Sequence, residues 1–580
     1  MLKKIWFHIS KRRQKQFSFL LLLMLLASIF EVISIGAVLP FLGALTSPDQ
    51  VFQHQLLQPL IKLLDLKEPS QLILPLTIIF ITTVIFAGVI RLLLLYSMTR
   101  LSYATGADLS INIYQRTLYQ EYSIHMARNS SEVINGIVTK TNAVITGVIT
   151  PILTLISSVI LLIGIMSALF IIDLKIALTV FIGLGLIYFL VIRFTKKQLK
   201  DNSKIIANQS TQLIKSIQEG LGGIRDVLID GSQQFYCDLY RNADLPIRHA
   251  SGNNIFISVS PRYVMEAIGM TLIASIAYMI SQQGDTMTAI PVLGALALGA
   301  QRLLPALQQA YGSYSMMKGV SSSFQDVLTL LEQPLPDYIN QSLAAPMPFK
   351  KEIQLKKINF RYTKDTDWIL KDINLTIAKG MRVGFIGTTG SGKSTLLDVI
   401  MGLLTPTEGE ISIDNQPVTI ENRREWQAHI AHVPQSIYLF DSSIEENIAF
   451  AIPEGKINRQ RVKKVAADAQ ISKLIEGWKN GYKTSVGEQG VRISGGQRQR
   501  IGIARALYKD ASVLIFDEAT SALDSETEKS VMESIVALDK DLTILIVAHR
   551  LTTLKGCDLV VRLDKNNIVQ IGSYKEMVHI

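Results

Sequence analysis

Six predominantly apolar runs, at residues 17–42, 72–95, 144–172, 176–191, 264–280 and 288–304, limit what this chain can fold into. A helix needs roughly 20 residues to cross a bilayer, and these runs reach that length, the short fourth one by extending to Phe194. In lipid no water satisfies a free N–H or C=O, so each run must be a helix. All six lie in the first 330 residues of 580. Charged residues are 18% of the chain, against roughly 25% in soluble proteins, and the deficit sits in that half. The expected organisation is a six-helix membrane domain over 1–330, a linker over 331–349 marked by Pro334, Pro336, Pro346 and Pro348, and a soluble domain over 350–580. Lys3, Lys4, Lys11, Arg12, Arg13 and Lys15 precede Phe17 as in a signal peptide. The apolar run continues past Ala27, contains Glu31 and lacks a small-residue cleavage site, so it reads as a retained first span.

The formal net charge is +10. Such a balance can mark a nucleic-acid binder, but here Lys and Arg crowd the N-terminus, 100–140 and 196–248, while 43–71, 173–175 and 281–287 hold few. That asymmetry is positive-inside topology, with both termini and the soluble domain cytoplasmic and no nucleic-acid partner. The two cysteines, Cys237 and Cys557, make neither a disulfide framework nor a Cys-type metal site. The polar intervals 97–141 and 193–262 keep helical patterning, which predicts membrane helices prolonged into water as two hairpins with tips near 119–131 and 231–240. Residues 56–66 are amphipathic and too short to span; they either lie on the outer membrane surface or pack as an ordinary helix. Arg91 and Arg262 fall near the inner edge of their spans and Arg302 deeper in the sixth, with Glu31 inside the first. Charges at such depth face cavities or partners. The arginines suggest a cationic patch for an anionic group, with Glu31 as a structural counter-charge.

In the soluble part, Gly387-Thr388-Thr389-Gly390-Ser391-Gly392-Lys393-Ser394-Thr395 reads G-x-x-x-x-G-K-S between an apolar strand (383–386) and an apolar helix (396–404). The glycines let successive N–H groups point at phosphate oxygens, Lys393 reaches the β- and γ-phosphates, and the Ser394 hydroxyl suits Mg²⁺. Residues 513–516 form a buried strand that delivers Asp517 and Glu518. Asp517 suits Mg²⁺ through water, and Glu518 is placed to polarise the water attacking the γ-phosphate. Gln435, after the strand 430–433, offers an amide to metal or water. Ser494, Gly495, Gly496 and Gln497 open a helix, an anion-binding arrangement. Asp524 closes Ser521-Ala-Leu-Asp, His549 follows the strand 543–547 and can contact the γ-phosphate, and Tyr362 precedes the phosphate loop as an adenine-stacking aromatic.

In this order and spacing, the motifs resemble those of a half-size ABC exporter, six membrane helices fused to one cytosolic α/β P-loop NTPase domain; the cytosolic match runs from about Lys351 to the end. By resemblance Tyr362 is the adenine-stacking aromatic and 387–395 the Walker A loop. Gln435 is the Q-loop, 494–497 part of the signature, 517–518 Walker B, 521–524 the D-loop and His549 the switch; Val486-Gly487-Glu488 is the loop that contacts the membrane domain. Ile493 stands where the family usually has Leu, a volume-conserving exchange. The resemblance implies a homodimer in which the signature of one chain closes on the ATP held by the other, so that catalysis draws on Glu518, His549 and Gln435. It further implies ATP and Mg²⁺ as cofactors, alternating access, and a place in a bacterial inner membrane.

Three patches of the membrane half resemble the PglK-type lipid-linked oligosaccharide flippases: Glu31 to Leu42 with Pro40, Pro261-Arg262 through Glu266 to Gly269, and Arg302-Leu-Leu-Pro305. Arg91 also falls where that family has an arginine. This implies outward flipping of a polyprenyl-pyrophosphate-linked sugar, its pyrophosphate met by Arg91, Arg262 and Arg302. An exporter of drugs, peptides or other amphiphilic lipids, and an ATP-gated channel or regulator, remain the alternatives. The spans exclude a soluble ATPase of DNA repair.

Overall fold

The computed structural model describes residues 2–172, 174–281, 286–340, 344–519, 523–536, 541–548 and 551–578. The chain forms two compact units, Met1–Gln120 with Ala127–Pro336, and Glu121–Met126 with Asp337–Ile580.

The first unit is helical. The apolar runs lie in Lys11–Gly36 with Val38–Thr46, Ile73–Leu118, Thr150–Ile172 and the turns before it, Leu174–Gly222, Gln233–Ser281 and Thr286–Gly319. Among the described residues, Lys11–Thr46, Pro69–Leu118 and Ser130–Ala168 are long and apolar enough to cross a bilayer. The runs at 176–191, 264–280 and 288–304 are helical but include side chains outside the description. Three helices have 46, 49 and 49 residues. At 1.5 Å rise each is about 70 Å long, more than twice the hydrocarbon thickness, so they must continue into water.

Two details differ from the sequence reading for identifiable reasons. The first run is two helices meeting at Ala37. Pro40 has no N–H for the Gly36 carbonyl and Gly36 is itself a poor helix former, so the ladder breaks there. In 56–66 only Gln58–Leu63 is a regular α-helix, with Pro59 in its first turn and Asp65 at φ 47° beyond its end. Ile61 packs with Ala44, Leu72 and Leu76 while Leu63 is 81% exposed. That is a packing element with two outward leucines, Leu63 and Leu64, at its end.

The first hairpin turns through the short helix Tyr122–Ala127. The second turns through Ile224–Ile229 and Gly231 at φ 63°. Its bend therefore begins at Gly222-Gly223, ahead of the expected tip, because paired glycines end the long helix. Asn202 Nδ2 donates to Asn254 Oδ1 at 2.8 Å and clamps the two arms together.

The second unit holds β1 (Glu352–Phe360), β2 (Leu370–Ala378), β3 (Arg382–Gly387), β4 (Glu408–Ile413), β5 (Gln416–Pro417), β6 (Ile430–Val433), β7 (Val513–Asp517), β8 (Thr543–Val547), β9 (Leu559–Asp564) and β10 (Asn567–Gly572). One antiparallel sheet has the order β2-β1-β4-β5, and the other runs β10-β9-β3-β8-β7-β6. The second is parallel except for β10. Its strands read as continuous apolar runs because both faces are covered. Phe385, Ile515 and Leu545 pack against Leu396, Leu397 and Ile400 of the helix Lys393–Ile400. The strand order brings the carboxyl ends of β3, β7 and β6 to one edge, where open α/β sheets bind ligands.

Candidate functional site

β3 ends at Gly387, and the helix Lys393–Ile400 begins after a tight loop. A Cβ on Gly387 would stand 2.2 Å from the Leu563 carbonyl oxygen, and one on Gly392 2.7 Å from that of Ile369. Only glycine fits either place. Lys393 is buried, and its Nζ donates to the Gly387 and Thr388 carbonyls at 2.9 and 3.0 Å. Ser391 Oγ is buried without a hydrogen-bond partner. Thr388, Thr389 and Gly390 form the exposed crown of the loop. A buried ammonium, an orphaned hydroxyl and the amides of a helix start fit phosphate oxygens.

Beside the loop, Ser394 Oγ lies 3.5 Å from Asp517 Oδ1 at the end of β7. Glu518 adopts φ 51°, in the left-handed region that few non-glycine residues occupy. Its N–H donates to the Val547 carbonyl at 3.1 Å, and Gln435 Nε2 donates to Glu518 Oε2 at 2.6 Å. Thus Ser394, Gln435 and the adjacent Asp517-Glu518 pair, from three separate stretches of sequence, form one polar cluster. Among the described residues no group of three His, Cys, Asp or Glu side chains is placed to hold a metal. A divalent cation here would need phosphate oxygens and water beside Ser394 and Asp517, the usual Mg²⁺ arrangement. Tyr362 Oη lies 3.4 Å from Thr395 Oγ1, and the ring is edge-on to Phe360 at 5.1 Å.

Two nearby residues escaped the sequence reading. Asp398 lies one turn beyond Ser394, and burial together with the charge of Asp517 pushes its carboxyl up to about 6. On β6, His432 has a buried Nε2 without a partner, and burial lowers its pKa. The i, i+4 spacing from Ser394 was a signal for Asp398; nothing local marks His432. An acid whose folded pKa is raised loses stability as pH climbs from 3.8 to about 6, and the deficit persists above that range. Asp398→Asn is therefore expected to raise the melting temperature of the nucleotide-free protein near neutral pH, with a smaller gain in acid. An unchanged or lower melting temperature at neutral pH would count against a charged, buried Asp398.

Ser494 caps the helix Gly495–Tyr508 reciprocally with Gln497. Ser494 Oγ accepts from the Gln497 N–H at 3.3 Å, and Gln497 Oε1 accepts from the Ser494 N–H at 2.9 Å. This capping box leaves the Gly495 and Gly496 amides at the helix mouth. Ile493 is buried in the apolar core. Asp524 accepts from the Thr527 N–H at 3.0 Å, which lowers its pKa; within one chain it serves as a helix cap. Ser521 and His549 lie outside the described residues. The hairpin segment 121–126 belongs to the second unit, where Glu121 Oε1 stands 3.6 Å from Arg423 Nη1.

In the membrane unit, Arg91 Nη1 lies 3.7 Å from Oε1 of the buried Glu31. Both line a cavity of about 540 Å³, together with Ser158 and Gln309. Arg262 Nε donates to Glu266 Oε1 at 2.7 Å. Each of these two arginines is thus matched by a carboxylate, as costly charges near lipid require. The Arg302 side chain lies outside the described residues.

A helical membrane unit joined to a parallel-sheet P-loop unit with these motifs defines an ATP-driven ABC exporter. The chain belongs to the ABC transporter family: residues 370–521 match the family described as ABC transporter, and 16–286 the one described as ABC transporter transmembrane region. It is a half-size, multi-pass membrane protein that couples ATP hydrolysis to transport. Across 578 residues it is 29% identical to the heterocyst differentiation ATP-binding protein HepA of Nostoc sp., covering 95% of this chain and 90% of that one. To the ATP-dependent lipid A-core flippase of Alkalilimnicola ehrlichii it is 31% identical over 68% of this chain and 67% of that one. A bacterial Atm1-family ABC exporter with ATP bound shares the fold, with TM-score 0.81 at 22% identity over 97% of both chains.

Proposed function

We propose that the chain works as a homodimer in a bacterial inner membrane and flips a polyprenyl-pyrophosphate-linked oligosaccharide from the inner to the outer leaflet. The observation carrying the lipid reading is a largely apolar cavity in the helix bundle that also presents Glu31, Arg91 and Gln309. Relatives whose names state a lipid cargo support it. In this reading the ATPase unit is cytoplasmic, Lys393 and the amides of 387–395 hold the β- and γ-phosphates, and Tyr362 stacks on adenine. Glu518, held by Gln435, polarises the attacking water, and His549 contacts the γ-phosphate. Ser394, Asp517 and Gln435 would hold Mg²⁺, which when bound neutralises phosphate charge. Ser494, Gly495, Gly496, Gln497 and Asp524 serve the nucleotide of the partner, giving two composite sites. Closure of the two ATPase units pulls the hairpin tips and turns the membrane part outward.

The test is ATP-dependent transfer of a fluorescent polyprenyl-pyrophosphate glycan between leaflets of liposomes holding the purified protein. Arg302→Ala is expected to slow transfer about ten-fold or more, the worth of a charge-assisted hydrogen bond, at near-normal basal ATPase. Unchanged transfer leaves Arg302 a structural residue. A second reading, an exporter of drugs, peptides or other amphiphiles, is favoured by the carboxylate partners of Arg91 and Arg262, which leave less charge for a pyrophosphate. ATPase stimulated by drugs, with no glycolipid transfer, would select it.

A further inference from the structure

We infer that the groove between the helices Lys11–Gly36 and Ile73–Leu118 holds an anionic glycerophospholipid of the surrounding bilayer, with its phosphate at Arg100. The two helices run antiparallel, as successive contacts show: Arg13 meets Asp108 and Phe30 meets Phe86. The groove encloses about 570 Å³, lined by Arg13, Phe19, Leu20, Tyr96, Arg100 and Tyr103 among others.

Its height in the bilayer follows from the sequence. One helix leaves its apolar run at Leu95, immediately before Tyr96; the other enters its run at Phe17, immediately after the basic stretch Lys11 to Lys15. Arg100 and Tyr96 therefore stand where hydrocarbon gives way to water, the level favoured by tyrosine and arginine side chains. Phe19 faces the acyl region, while Leu20 packs inward against Leu94, Met98 and Leu101.

The two arginines differ. Arg13 Nε donates to Asp108 Oδ2 at 2.8 Å and its Nη1 to Gln16 Oε1 at 3.0 Å, so its charge is matched. Arg100 Nε donates only to Tyr96 Oη at 3.3 Å, with the guanidinium 5.6 Å from that ring. Among the described residues no carboxylate lies within ion-pair distance of Arg100. Its guanidinium keeps outward donors suited to a phosphate. On the acyl side Phe19 is 75% exposed, and Tyr103, one turn to the water side of Arg100, is 52% exposed, so the groove offers an open apolar wall. Free phosphate satisfies the cation but not the wall, and an uncharged lipid the wall but not the cation. An anionic lipid satisfies both. The proposal is independent of what the exporter transports.

The test is native mass spectrometry of the purified full-length protein titrated with phosphatidylglycerol, phosphatidylcholine and glycerol phosphate. Wild type is expected to retain one phosphatidylglycerol per chain in preference to phosphatidylcholine, and glycerol phosphate should not displace it. Arg100→Gln should weaken phosphatidylglycerol binding about five-fold, and Arg100→Lys should keep the preference. Basal ATPase should stay unchanged in both variants, since Arg100 lies outside the nucleotide machinery. Equal phosphatidylglycerol binding by wild type and Arg100→Gln, displacement by glycerol phosphate, or no headgroup preference would each overturn the proposal. So would equal losses in the Gln and Lys variants.

Discussion

Glu518→Gln is expected to reduce ATP turnover by about 10²–10⁴-fold, the usual contribution of a general base, while ATP still binds and holds two chains in a closed dimer. The argument rests on geometry and shape. Glu518 sits in a left-handed conformation at the end of β7, tied through its N–H to β8 and through its carboxylate to Gln435. Such a conformation persists only where the surroundings over-determine it. Glutamine is isosteric and can occupy the same pose, but it cannot accept the proton that the attacking water must lose. Binding and chemistry should therefore separate. Phosphate release measured beside ATP retention on the same preparation reads both, and turnover within ten-fold of wild type would remove Glu518 from the role of base.

Lys393→Ala should abolish both. Lys393 is 7% exposed, and its ammonium donates to two carbonyls of its own loop. Its removal takes away the charge that meets the phosphates and leaves those carbonyls without their donor. Two charge-assisted hydrogen bonds are worth roughly 10²–10⁴ in affinity. Binding of a fluorescent ATP analogue measures this directly, and tight binding retained in the variant would count against the phosphate-holding role. Glu518→Gln should bind without turning over and Lys393→Ala should do neither, a contrast that tests the division of labour within the site.

Much of this was legible because it is local. A phosphate loop is one strand, one turn and one helix, so 387–395 announces itself through nearest-neighbour geometry. The parallel strands 513–516 and 543–547 are apolar runs too short to be anything else beside their turns. Asp524 shows the opposite case. Its motif says nucleotide, yet within one chain the carboxylate caps the helix Ser525–Val536, because an aspartate just before a helix start has free N–H groups at hand. Asp398 and His432 carried no motif; both are perturbed chiefly by burial, which depends on how the strands and helices pack.

By itself the sequence determined the membrane helices, since apolar length and the backbone's need for internal hydrogen bonds leave no other solution, and it determined the nucleotide chemistry through motifs a few residues long. Tertiary structure alone decided which distant groups share a charge or a cavity. Glu31 faces Arg91 across two helices, Gln435 reaches Glu518 across two strands, and Arg13 turns to Asp108 while Arg100 is left to Tyr96. Periodicity tells which face of an element is apolar; it does not tell which element will meet that face, and the energy of a charge near lipid is set by that meeting.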